Sequence, residues 1–377
     1  MIRKLTSTAV LAAALAALLL LVAAPADPPA SAGAGASARV PPNFVGISPQ
    51  SAATEEDFDL MRRAGLRSLR WPLYWFGVEP VNPAVREPDW EGFDQLVALA
   101  AKHRMRVLPF VWGSPPWIAE EVHTEPVDSV FQRRAWAAFL RRAVRRYGAR
   151  GSFWRQNPDV PRLPVRAWEI WNEQNIVTFG EADPEGFAQL VRTSGRVLRR
   201  NDRGAKLILG GLFGRPLQVP PNVHIGQFMA RLYAAGDVKR WFDGVALHPY
   251  VARAAAMRGQ IENLRRVMRL HGDGATPLYI TEMGWGSAGF QSRWERGWRG
   301  QARELNQAFS MLSRNRRAWR IGGVWWFTFV DELEAHCQFC DSAGLLTPER
   351  KAKPAWYAFN RWTGGDARTV FRARPGG

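Results

Sequence analysis

Apolar positions along this chain follow two alternating patterns. Short, nearly continuous apolar runs occur at Asn43 to Ser48, Leu66 to Trp71, Arg106 to Val111, Trp168 to Asn175, Lys206 to Gly211, Asp243 to His248, Leu278 to Trp285 and Ile321 to Phe327. Between them, apolar residues recur at three- and four-residue spacing, the period of an amphipathic helix. Such stretches cover Glu55 to Ala64, Phe93 to His103, Asp128 to Tyr147, Pro184 to Asn201, Val223 to Ala235, Met257 to His271, Arg293 to Arg316 and Pro354 to Trp362. Strands apolar on both faces need cover on both faces, so strand alternating with helix predicts parallel pairing beneath a helical layer. Eight such units predict an α/β fold of one kind, a single (β/α)8 TIM barrel. A doubly wound nucleotide-binding sheet would need a Gly-rich turn after an early strand, and the chain has no such turn there.

In a parallel barrel, chemistry gathers where the strands end. The run WEIWNEQN stops at Asn172-Glu173, and LYITEMGW stops at Glu282. The other strand ends offer Arg70, Trp112 and Trp117, His248 and Tyr250, and Trp325 and Trp326, with Trp285 just beyond Glu282. Aromatic faces stack on sugar rings, while carboxylates, Asn and Arg serve hydroxyls and a bond to be broken. Glu169 lies in phase with Glu173 and reads as an internal acid paired to a cation such as Arg70. His248 reads equally well as a substrate contact or a hydrogen-bonded scaffold histidine.

The WNE and ITE strand endings, the HPY segment and the Trp-rich last strand resemble the glycoside hydrolases of clan A. WEIWNEQN and GLLTPERKAKPAWYAF are similar to the β-xylosidase/α-iduronidase family and to the broad cellulase family. The resemblance spans Asn43 to Trp362. It implies Glu173 as general acid/base and Glu282 as nucleophile of a retaining mechanism. It further implies Asn172 on the sugar 2-hydroxyl, Arg70 and Tyr250 holding Glu282, His248 lining the site, and Trp326 as the floor under the reacting sugar. Trp117 and Trp285 are further candidate substrate contacts. Gln174 stands where similar sequences often carry Pro. The expected function is retaining hydrolysis of O-glycosidic bonds in a poly- or oligosaccharide. A barrel that binds cell-wall polysaccharide without cutting it, and a transglycosylase using the same two acids, are the alternatives. No metal-ligand constellation is visible, and retaining hydrolysis requires no cofactor.

The N-terminus adds an address. Arg3 and Lys4 precede an apolar run from Ala9 to Ala24, followed by small residues and Pro. This is the three-part form of a secretory signal, and the run is short for a membrane span. Residues 1–38 are thus expected to be a signal peptide, or an N-terminal anchor, with a small-residue linker, and 39–377 the catalytic barrel. Ala24-Pro-Ala26, Ala30-Ser-Ala32 and Ala34-Gly-Ala36 are all possible cleavage sites. The only two cysteines, Cys337 and Cys340, form a C-x-x-C pair without a second pair to complete a zinc site, so in an exported chain a local disulfide is expected. The net charge of +17 is carried mostly by Arg on helical stretches. It suits association with an anionic cell wall or membrane surface. Its scatter over several helices speaks against nucleic acid.

Overall fold

The computed structural model describes residues 40–369 apart from 42, 52, 216–219, 290, 291, 333–336 and 338. The leader or anchor, residues 1–38, lies outside the described residues, as does His336 beside the cysteine pair.

The elements run β1 (Val45–Ile47), α1 (Glu55–Arg63), β2 (Ser68–Tyr74), α2 (Trp75–Val78), α3 (Glu91–Lys102), β3 (Arg106–Trp112), α4 (Val130–Tyr147), α5 (Ser152–Gln156) and β4 (Ala167–Ile170). They continue α6 (Pro184–Asn201), β5 (Lys206–Phe213), α7 (Ile225–Ala234), β6 (Gly244–His248), α8 (Met257–Leu270), β7 (Leu278–Met283), α9 (Gly297–Asn315), β8 (Ile321–Trp326) and α10 (Pro354–Thr363). Each strand pairs in parallel with the next and β8 returns to β1, closing the expected barrel.

Local chemistry sets the helix ends. Thr54 with Asp57 and Ser129 with Gln132 form reciprocal capping boxes at the starts of α1 and α4, each satisfying amides that have no partner within the helix. Asp183 caps α6 ahead of Pro184, and α10 opens on Pro354 and closes on Gly364 in the left-handed region. Both choices follow the usual asymmetry of helix termini.

Two strands differ from the pattern read in the sequence. β2 continues past Trp71, through Pro72 to Tyr74, so Arg70 lies within the strand rather than at its end. Proline is tolerated because β1 pairs with β2 only at Ile47 and Leu69. Beyond that point the missing N–H forfeits no ladder bond on the β1 side. β4 is shorter than WEIWNEQN suggests. It ends at Ile170 because Trp171 and Glu173 turn to positive φ, 71° and 44°. Neither is a conformation that these residue types adopt freely, and such strain is characteristic of functional sites.

Leu108, Ile208, Ala246 and Trp325 pack together in the barrel interior, with Ala167 and Tyr279 against them. The larger core fills the layer between sheet and helices. Past β8, the amine of Lys353 is fully buried and donates to both Asp331 oxygens at 2.7 and 2.9 Å, to Ser287 Oγ at 2.9 Å and to the Ser342 carbonyl at 3.0 Å. Burial pushes this amine down to about 8, with Asp331 opposing. Lys353→Met leaves a buried carboxylate without its cation and is expected to cost about 3–5 kcal/mol. Chemical denaturation of Lys353→Met beside Lys353→Met/Asp331→Asn checks this, because the neutral amide removes the stranded charge and should recover part of the loss.

Candidate active site

Arg70 projects from β2 into the barrel and organises its mouth. Its Nε and Nη2 grip Glu169 at 2.8 and 3.0 Å, its Nη2 also reaches Asn172 Oδ1 at 2.8 Å, and its Nη1 reaches Glu282 Oε1 at 2.5 Å. Phe110 lies under the guanidinium, 4.0 Å away. Burial works against the cation, and the carboxylates of Glu169 and Glu282 outweigh it. An Arg is suited to this because its planar fork supplies several donors at fixed angles.

The second acid, Glu173, is positioned by β5 as well as by its own strand. Its amide donates to the carbonyl of Gly211, whose own amide donates to Glu169 Oε1 at 2.9 Å. A Cβ on Gly211 would fall 1.9 Å from Nε2 of His248, so only glycine lets that imidazole sit here. His248 Nδ1 lies 2.7 Å from Glu173 Oε1, and its Nε2 lies 3.0 Å from Thr281 Oγ1. Thr281 Oγ1 in turn donates to Glu169 Oε1 at 3.3 Å.

That chain has a direction. Burial pushes His248 down, so the ring carries one proton. Since the Thr281 hydroxyl spends its proton on Glu169, it accepts from Nε2–H, leaving Nδ1 as a bare lone pair. Whereas an Nδ1–H would favour the Glu173 anion, in this tautomer the carboxyl is the donor to Nδ1, that is, neutral. Burial pushes Glu173 up in the same sense. Glu282 is also pushed up by burial, but Arg70 and the Tyr250 hydroxyl, which donates to Glu282 Oε2 at 2.7 Å, favour its anion. Two carboxyls thus receive opposite local treatment, one offered an acceptor and the other surrounded by donors, the pattern that separates an acid from a nucleophile.

Oxygens of Glu173 and Glu282 and a ring nitrogen of His248 all lie within 4.8 Å of one another. Among the described residues this is also the one His/carboxylate group compact enough for a metal ion. The Arg70 cation already bound to Glu282 opposes a second positive charge there.

Both acids line a cavity of about 450 Å³. Arg70, Asn172, Glu173, Glu282 and Tyr250 line it, whereas His248 stands behind Glu173. Three expected aromatic contacts do not reach it. Trp326 is fully buried, packs on Trp285 and donates to the Ala343 carbonyl. Alternation along β8 turns Trp325 into the barrel and Trp326 toward the helical layer, and Phe327 lines the cavity instead. Trp285 is committed to the Val251 carbonyl, and Trp117 to the Glu79 carbonyl and a T-shaped contact with Trp75. Cavity residues not anticipated as sites include Gln50, Tyr74, Phe213, Trp294 and Phe339. Cys337 and Cys340 are at disulfide distance, with Cα atoms 5.3 Å apart, and both line the cavity.

The same closed eight-stranded parallel barrel is the fold of several solved glycosidases. A family 39 glycoside hydrolase from Bacteroides cellulosilyticus WH2 superposes with a TM-score of 0.65 at 21% identity, over 85% of this chain and 63% of that one. A monomeric β-xylosidase from Caulobacter crescentus CB15 superposes at 0.60 with 18% identity, over 84% and 67%, and xylanase 10B from Thermotoga maritima at 0.59 with 15% identity, over 86% and 95%. The chain therefore spans a little under two thirds of the length of the first of these, 63%. No family profile matches the sequence, and no curated protein matches it.

Proposed function

We propose that the protein is a retaining glycoside hydrolase. The observation that carries this reading is the approach of Glu173 and Glu282 to within 4.8 Å. That suits direct attack on the sugar, since retaining pairs stand ~5–5.5 Å apart while inverting pairs leave ~6.5–9.5 Å for a water. In the first step, Glu282 bonds to the anomeric carbon as the C–O bond breaks, and Glu173 gives its proton to the departing oxygen. In the second, Glu173 takes a proton from water, whose oxygen displaces Glu282 and frees the sugar. Asn172, held by Arg70, faces the 2-hydroxyl.

The leader supports export, with 39–377 as the catalytic unit, and the charge of +17 supports association with anionic wall or membrane surfaces. The test is product release from a panel of polysaccharides, oligosaccharides and simple glycosides, with and without EDTA. Release unaffected by EDTA is expected. Release that EDTA abolishes would transfer Glu173, His248 and Glu282 to a metal centre.

A further inference from the structure

Much of the cavity lining is apolar, and part of it packs on Tyr250, whose hydroxyl holds Glu282. The polar groups of the lining meet at Asn172, Glu173, Tyr250 and Glu282 around the Arg70 guanidinium, enough for about one glycosyl ring. The rest of the lining is largely apolar and includes Ile176 and Phe179 after β4, Phe213 at the end of β5, and Phe327 and Phe339 after β8. Phe339 and Trp294 pack face to face with a tilt at 5.7 Å, and Phe339 meets Tyr250 at 5.4 Å, so this wall is a packed cluster rather than loose side chains.

A second sugar ring could stack one face on an aromatic side chain, but each of its hydroxyls turned toward the apolar lining and left without a partner would cost about tenfold or more in affinity. An apolar group of similar size would lose nothing by the same move and gain from burial. At about 450 Å³ the cavity has the size of drug-like ligand sites, with few polar groups set in an aromatic wall. We infer that this site takes a single glycosyl unit joined to an apolar aglycone, the alcohol of an aryl or lipid glycoside, rather than a continuing sugar chain. The inference rests on the hydrolase reading and names the leaving group within it. Hydrolysis then releases that alcohol with the proton from Glu173, and water supplies the new anomeric hydroxyl.

The experiment compares methyl, octyl and benzyl glycosides and a disaccharide, all with the same non-reducing sugar, chosen from whichever sugar the panel shows to be cleaved. Methanol, octanol and benzyl alcohol have similar acidity, so differences in kcat/KM among these three report the fit of the leaving group, while the more acidic sugar hydroxyl of the disaccharide favours that substrate chemically. Octyl or benzyl is expected to exceed methyl by about a hundredfold, the scale of burying a few methylenes. Octyl leading points to a lipid alcohol and benzyl leading to an aryl alcohol, and either supports the inference. Phe213→Ser should erase most of the preference, lowering hydrolysis of the octyl and benzyl glycosides more than that of the methyl glycoside. A disaccharide or methyl glycoside cleaved as well as the octyl one would overturn it. Binding of N-phenyl-1-naphthylamine, followed by fluorescence, separates the two ways of failing. Absence of saturable binding, or binding unchanged in Phe213→Ser, removes the apolar site itself. Normal binding with no glycoside hydrolysed removes the hydrolase reading, and the aglycone assignment with it.

Discussion

Glu282→Gln is expected to lower kcat/KM by a factor on the order of 10⁶, the scale seen when a covalent nucleophile is removed. That is about 8 kcal/mol of transition-state stabilisation. The amide keeps the shape and can still accept from Arg70, but it cannot form the glycosyl ester. The fold should survive, because burial already opposes the charge at this position. A group whose folded pKa is raised gives its full stability only at low pH and loses it as pH rises. The neutral variant should therefore compare best with the wild type at neutral pH and least well in acid. Thermal unfolding at two pH values beside initial rates checks both halves. Substantial turnover by a correctly folded Glu282→Gln protein would remove this residue from the mechanism.

The second large effect is at Glu173. With an alkyl leaving group, Glu173→Ala should reduce the rate by about 10²–10⁴, the usual contribution of a general acid. With an activated aryl leaving group the first step needs little protonation, so loss falls on the second step. There azide, a small anion that can occupy the space left by the side chain, should restore turnover and yield a glycosyl azide of retained configuration. The pH profile gives an independent reading. Activity requires ionised Glu282, so it rises with pH through that pKa, and it requires neutral Glu173, so it falls as that group ionises. Both are raised by burial, which places the bell above the ordinary carboxylate range. In Glu173→Ala the alkaline limb should vanish. Its persistence, or the absence of any azide effect, would assign that limb to another group.

What the sequence disclosed about this site follows from how local each signal is. Glu173 and Glu282 were legible because each ends a buried apolar run, and a barrel directs such ends to one face. Tyr250 and His248 were legible from the segment that closes β6. Thr281 was not, because a threonine in a strand reads first as a good strand former, and its hydroxyl acquires a role only when the closed barrel brings His248 of β6 and Glu169 of β4 to it. Trp326 was misassigned through side-chain phase. A one-residue change exchanges the two faces of a strand, and the β7–β8 pairing has irregular register near this end. The indole N–H groups of Trp117 and Trp285 are spent on carbonyls that sequence does not place nearby. The apolar wall was hidden for the same reason: Phe213, Trp294 and Phe339 are far apart along the chain and meet only because the barrel closes. The barrel itself was readable because its signal is repeated eight times, so errors at single boundaries did not accumulate.

Arg70 bonds at once to Glu169, Asn172 and Glu282, and this shapes how the protein can tolerate change. Replacements at those three positions converge on one cation, so their losses overlap and a second substitution does less harm than it does alone. Epistasis is concentrated at this network in the mouth of the barrel. A lineage descended from this protein would therefore carry Arg70 and its three partners forward as a unit, because the worth of each depends on the presence of the others.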